Sequence, residues 1–391
     1  MSQQVIVKGT VVTPFTTIPE GAVAFRGARL TYVGAGKDAP SEGRICDFGD
    51  NVVSPGLIDL HVHGCRGSDF TENPRDSLKT ISDELVSAGV TSFVPTTYSA
   101  PYDVLAKVAE SFRDSPKHSL SSHVLGIHLE GPCLNPSRRG AHSSANLRCL
   151  NSREFLELHA MSGNQVKLVT LAPELPGVAD VCKLLSGRGI VVSAGHSDAS
   201  FEEMMRGISA GVTHVTHLFN GMRPFHHRDP GILGAALTDA RVTCELIADG
   251  IHVHPAAIRL AIRAKSSGGI ALVSDCVKPA GLIDGSYFVG GTRVTLRGDR
   301  CLTESGDLAG SVSTVLDGVR NVVRLAGAGV QEAVEMASAT PSRVLGLSDR
   351  KGCLAPGMDA DLAVFDRDFN ALMTVVGGRV VHEVDIRWQD L

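Results

Sequence analysis

Residues 55–64 read PGLIDLHVHG. Pro55-Gly56 opens a short apolar run that closes on His61-Val62-His63. Side chains alternate along a strand, so both imidazoles fall on one face and can reach one divalent ion. A chance pair in a chain with 15 histidines is the alternative. The run that holds them, 53–63, is the first of eight apolar, β-rich runs; the others span 91–97, 123–130, 165–172, 190–196, 213–220, 241–252 and 270–275. Between them, 78–87, 104–112, 153–161, 178–185 and 256–265 carry apolar residues at the three- and four-residue spacing of amphipathic helices. The Gly-rich stretch after the sixth run has the weakest helical pattern. Near-continuous apolar strands alternating with helices predict parallel strands covered on both faces. Eight such units predict an α/β fold of the (β/α)8 TIM-barrel type, with a doubly wound open sheet as the alternative.

The ends of the chain have a different rhythm. Val5-Ile6-Val7, Val11-Val12, Ala22-Val23-Ala24-Phe25 and Leu30-Thr31-Tyr32-Val33 are short strands broken by Gly and Pro. Leu362-Ala363-Val364-Phe365, Thr374-Val375-Val376 and Arg379-Val380-Val381 match them, with Gly377-Gly378 as a hairpin signal. The expected organisation is a barrel over 54–351 and a small β-sandwich domain built from 1–53 and 352–391.

Composition bounds the function. The 391 residues are 43% hydrophobic and 20% charged, ordinary for a globular protein. Lys+Arg 37 against Asp+Glu 42 gives −5, with no electrostatic sign of nucleic-acid or anionic-membrane binding. No apolar run approaches the ~18 residues of a membrane span. The opening MSQQVIVKGTVVTP has neither a basic nor an apolar leader region, so no signal peptide is expected. Nine cysteines at irregular spacing, without a CxxC pair, read as reduced thiols in a cytoplasmic protein.

Ligand-type residues gather at the ends of the runs. His61 and His63 end the first, Glu130 the third, His196 the fifth, His217 the sixth and Asp275 the eighth. The C-terminal strand ends form the active-site face of a (β/α)8 barrel, so these six side chains should converge. Imidazole with carboxylate suits Zn first, with Fe, Mn or Co as alternatives. His128 shares a face with Glu130 and either orients that carboxylate or is a hydrogen-bonded core histidine. His214 faces away from His217 and reads as structural. Phe225-His226-His227-Arg228-Asp229 is a compact cationic loop after the sixth run. Arg228 can take phosphate bidentately with His227 adding a donor, unless the loop is simply solvated. His252, which ends the seventh run, is a further phosphate candidate.

PGLIDLHVHG (55–64), HLEGP (128–132), RGAH (139–142), AGHSDA (194–199), THLFNGM (216–222), HHRDPG (226–231), ADGIHV (248–253), SDCVKPAG (274–281), LAGS (308–311) and ATPSRVLGL (339–347) occur in this order. The set resembles the amidohydrolase superfamily and, within it, the N-acetylglucosamine-6-phosphate deacetylases. The resemblance implies that Glu130, His196 and His217 hold a principal metal. It implies that Asp275 is the catalytic carboxylate and that His142 lies near the acetyl group, where it can stabilise an oxyanion. With His61 and His63 present, one or two divalent metals per chain are implied, the second bridged by Glu130. Many superfamily members bridge two metals with a lysine of the fourth strand; Lys167 stands at the wrong end of that run. Asn220, the Gly221 backbone, Arg228 and His252 are implied at the sugar phosphate, with Ala141, Leu308 and Ala309 lining the pocket. Because the family's arginine can reach a neighbouring subunit's site, a homodimer is implied. The implied substrate is a phosphorylated N-acetyl amino sugar, N-acetylglucosamine 6-phosphate first, with N-acetylgalactosamine 6-phosphate or another, unphosphorylated N-acyl amino sugar as the alternative. Departures from the family pattern are Cys276-Val277-Lys278 after Asp275, and Gly221 where Ala is common. A catalytically silent scaffold is the alternative class, which retention of every ligand argues against.

Overall fold

The computed structural model describes residues 3–384 and 388–390. The ends of the expected β domain, 1–2, 385–387 and 391, lie outside the described residues. Eight parallel strands follow one another around a barrel: Leu57–Val62, Val90–Thr97, Ile127–Glu130, Val166–Leu171, Val191–Ala194, Val212–Val215, Thr243–Leu246 and Ile270–Leu272. Each is hydrogen-bonded to the next. First and eighth meet just beyond the regular ladder, where Asp275 N–H donates to the His61 carbonyl and His63 N–H to the Cys276 carbonyl, both at 2.9 Å. The open-sheet alternative is thereby set aside.

Five helices fall where the apolar spacing puts them, at Pro74–Val86, Tyr102–Arg113, Ser152–Met161, Val178–Ser186 and Pro255–Lys265, and Phe201–Ala210 adds one between the fifth and sixth strands. The Gly-rich stretch does form a helix, Gly231–Thr238. Most of its residues are buried, so it has no polar face to produce a period. Apart from Val90–Thr97, the regular strands are shorter than the apolar runs. The residues beyond the strand ends form the loops at the barrel mouth; these carry His63, His196, His217 and Asp275, while His61 and Glu130 stand at the ends of their strands.

The terminal segments form one eight-stranded sheet. Arg44–Pro55 lies at its centre, parallel to Gln4–Val12 and antiparallel to Leu362–Phe365. Val7, Val23, Phe25, Leu30, Leu362, Met373 and Val375 share its apolar core. Only Gly56 separates the central strand from the first barrel strand. Buried Lys351 is paired with Asp361, and Asp359 takes both Arg29 at 2.7 Å and Arg350 at 3.0 Å.

Two features depart from expectation. A three-stranded antiparallel sheet, Gly285–Val289, Thr292–Arg297 and Arg300–Thr303, is inserted after the eighth barrel strand. Its Val289, Val294 and Cys301 pack with Tyr98, Ala141 and Ala309 over the barrel mouth. Cys133 and Cys149 are joined as a disulfide, so the reading of all nine cysteines as thiols is corrected. The two residues are brought together by a loop whose path their spacing does not reveal; the other seven are free.

Candidate active site

The six strand-end side chains converge. Glu130, on the third strand, is the hub. Its Oε1 lies 3.1 Å from both His196 Nε2 and His217 Nε2. Its Oε2 lies 3.2 Å from His63 Nε2 and 3.6 Å from His61 Nε2. Asp275 Oδ1 closes the other side, 3.4 Å from Nε2 of both His61 and His63. All six are buried.

The hydrogen bonds behind these rings set their protons. His196 Nδ1 donates to the Arg138 carbonyl at 2.8 Å, and His61 Nδ1 donates to Glu245 at 2.9 Å. Each therefore presents an Nε2 lone pair inward. Yet His61 Nε2 and His63 Nε2 are 3.1 Å apart, as are His196 Nε2 and His217 Nε2. Lone pairs and two carboxylates crowd together with few protons among them. A divalent cation satisfies such a donor set, and the nitrogen and oxygen ligands fit one. His61, His63 and Asp275 form one candidate metal-binding group, and Glu130 and His196 belong to another.

His142 is different. Its Nδ1 accepts from the Ser99 N–H at 3.0 Å, so its proton sits on Nε2, 3.1 Å from Glu130 Oε2. Burial pushes its pKa down to about 4 against the pull of Glu130. It is a neutral N–H donor rather than a lone pair.

The backbone is strained at the same points. His196, His217 and Asp275 adopt left-handed φ values of 47°, 31° and 49°. L-residues avoid this region, and such strain persists only where packing over-determines it. Here it turns three side chains off the strand direction and into the mouth.

A cavity of about 470 Å³ opens above the cluster. Of the expected substrate contacts, Ala141, Asn220, Gly221, His252, Leu308 and Ala309 line it. His252 Nδ1 donates to Asp249 at 2.6 Å, leaving a buried Nε2 with no protein partner. Gly221 has φ 59°, and a Cβ there would meet His196 Nδ1 at 2.8 Å, against the bond that orients that ring. His227 and Arg228 do not line the cavity. They are exposed, with Arg228 Nη1 2.8 Å from His227 Nε2.

Other expectations resolve simply. His128 lies 2.7 Å from the Thr170 hydroxyl and 3.3 Å from that of Thr96, and burial holds its pKa well below the ordinary histidine value. It is the core histidine rather than an orienter of Glu130. Lys278 pairs with Glu72 at 2.5 Å. Sequence reasoning missed Tyr98, which stacks on His63 at 3.9 Å, and Arg138 and Arg139 at the cavity rim. It also missed Glu245. Burial raises that carboxyl's pKa, but His61 and His214 outweigh burial and hold it well below the usual range.

Known proteins share this architecture. The amidohydrolase family model matches residues 52–381. The N-acetylglucosamine-6-phosphate deacetylase of Bacillus subtilis is 34% identical, covering 97% of this chain and 98% of its own. That of Vibrio furnissii is 40% identical, covering 85% of this chain and 83% of its own. A mutant of the Mycobacterium smegmatis deacetylase, solved in complex with N-acetyl-D-glucosamine-6-phosphate, superposes with a TM-score of 0.92 at 30% identity, covering 97% and 99% of the two chains. The chain belongs to the amidohydrolase family, in the group that holds the N-acetylglucosamine-6-phosphate deacetylases.

Proposed function

We propose that the chain hydrolyses the acetamide of N-acetyl-D-glucosamine 6-phosphate, releasing acetate and D-glucosamine 6-phosphate. The observation that carries this is Glu130, its two oxygens shared between two histidine pairs with Asp275 opposite, beneath a cavity that His252 and Asn220 line. The family likeness supports it.

Glu130, His196 and His217 would hold one divalent cation, and His61, His63 and Asp275 a second, with Glu130 shared. Zinc is the first choice for such ligands. A bound divalent cation makes water nucleophilic at neutral pH and polarises a carbonyl. Asp275 accepts the proton of the attacking water as general base, then returns it to the amine nitrogen as the C–N bond breaks. His142, fixed with its proton on Nε2, donates to the developing oxyanion. At the far end His252, held by Asp249, Asn220 and the Gly221 backbone meet the sugar phosphate; Ala141, Leu308 and Ala309 flank the ring.

Arg228 and His227 are exposed and do not line their own cavity, which supports a homodimer in which they serve a second copy's phosphate site. The working parts divide into a barrel over 54–351 and a β domain over 1–53 and 352–391 that braces its first strand. No described helix is long and apolar enough to cross a membrane. A cytoplasmic setting rests on the seven free cysteines, with the Cys133–Cys149 pair standing against it.

The test is acetate release by metal-replete protein from N-acetylglucosamine 6-phosphate, N-acetylgalactosamine 6-phosphate and N-acetylglucosamine. A preference of about 100-fold for the first, roughly 3 kcal/mol of transition-state discrimination, is expected. Preference for the galacto sugar corrects the substrate. No release from any of the three overturns the deacetylase reading.

A further inference from the structure

Glu245 lies on the seventh barrel strand, fully buried and outside the cavity lining. Folded proteins do not keep an isolated charge in the interior, so the partners of a buried carboxylate reveal what it is for. Its Oε2 accepts from His61 Nδ1 at 2.9 Å and from the His217 backbone N–H at 3.2 Å. Its Oε1 faces His214 Nε2 at 3.3 Å. An ionised carboxylate only accepts, so His61 carries its proton on Nδ1 and His214 on Nε2. The far side of His214 is held by the Thr243 hydroxyl at 2.6 Å, which fixes the ring that fixes Glu245.

The consequence appears at the other end of His61. With Nδ1 protonated, Nε2 must present its lone pair toward His63 and Asp275. The Glu130–His196–His217 half of the cluster is oriented differently, through the Arg138 carbonyl behind His196. The main-chain bond from Leu218 N–H to the Glu245 carbonyl, 2.9 Å, places the segment after His217 without help from the Glu245 side chain.

We propose that Glu245 is the positioning residue for the second cation. By fixing the tautomer of His61 and setting a negative charge behind it, Glu245 decides whether the His61–His63–Asp275 half holds a divalent ion, while the Glu130–His196–His217 half binds without it. This rests on the two-cation reading above.

The experiment is titration of the metal-free full chain with 113Cd2+, followed by 113Cd NMR. The wild type should give two resonances. Glu245→Ala should keep one, with Cd2+ affinity at the lost site down about 10- to 100-fold. Glu245→Gln, whose amide oxygen can still accept from His61, should recover the second resonance at intermediate affinity. Two resonances of unchanged affinity in Glu245→Ala overturn the assignment to Glu245 alone. Loss of both, without recovery by Gln, makes Glu245 a merely structural residue and also overturns it. A single resonance in the wild type overturns the two-cation reading, and this inference with it. Should Glu245→Ala fail to fold, 1H–15N correlation of the His61 ring in the wild type decides: a proton on Nδ1 is required, and a proton on Nε2 refutes the proposal.

Discussion

The barrel and the terminal sheet are both built of strands with apolar cores, yet only the barrel also buries a polar layer between its strands. The sheet's core is Val7, Val11, Val23, Phe25, Leu30, Leu362, Val364, Met373 and Val375, apolar throughout. The barrel has a polar layer under its mouth: Asp59, Thr96, His128, Thr170, Ser193, His214, Thr216, Glu245 and Ser274, all essentially inaccessible. These groups satisfy one another. Asp59 accepts from the Ser274 hydroxyl at 2.5 Å, and Thr216 links Thr170 and Ser193 at 2.6 Å each. Branched aliphatic residues usually fill this space in such barrels. A satisfied polar network contributes little net stability but specifies geometry, because each member has one arrangement that leaves nothing unpaired. Stability therefore comes from the apolar cores, the sheet's own and the larger one between the barrel and its helices, and the polar layer supplies the aim of the side chains above it.

That division can be broken by substitution. Asp275→Asn keeps the shape of the mouth and removes the base. kcat should fall about 10³- to 10⁴-fold, roughly 4–5.5 kcal/mol, with the melting temperature little changed. Steady-state acetate release beside a thermal melt checks it, and near-normal turnover would remove Asp275 from proton transfer. Phe25→Ala is the mirror image. It should cost about 3–5 kcal/mol of stability by urea unfolding, with kcat per folded molecule unchanged. A parallel fall in kcat would mean that the sheet also tunes the site.

Thr216→Val sharpens the contrast inside the barrel. It leaves the Thr170 and Ser193 hydroxyls short of a buried partner and should lower stability by about 1–3 kcal/mol, although no apolar contact is lost. A neutral result would mean that the layer repairs itself. The smallest effect is expected at Arg228→Ala. If the loop serves a second copy, KM for the phosphorylated sugar should rise about tenfold, near 1.4 kcal/mol, with kcat preserved. An unchanged KM would take Arg228 out of the phosphate site.

Much of this was legible in the residues because ligands at strand ends carry two signals at once, their type and their position. Glu130, His196, His217 and Asp275 each follow an apolar run, and a parallel barrel brings such ends together whatever the loops do. Glu245 carried one signal only. An acid between Cys244 and Leu246 must be paired if that run is a buried strand, but the partner, His61, stands 184 residues away. The sheet inserted after the eighth barrel strand announced itself through Gly290-Gly291 between alternating residues, yet by pattern it belongs equally to the loops of a barrel. The Cys133–Cys149 pairing depends on a loop path that no local period encodes. The role proposed for Arg228 calls for a second copy, which the residues of one chain do not place.

The central strand of the terminal sheet, Arg44–Pro55, is flanked by Gln4–Val12 and Leu362–Phe365, so one neighbour is made early and the other very late. Ribosomes add ~5–20 residues per second, so about 300 intervening residues leave that strand edge open for roughly 15–60 s. During this interval its N–H and C=O groups can template pairing with other nascent chains. Every molecule of this protein thus passes through a window in which the barrel's brace is half a sheet, and a message truncated before codon 362 would leave its product in that state for good.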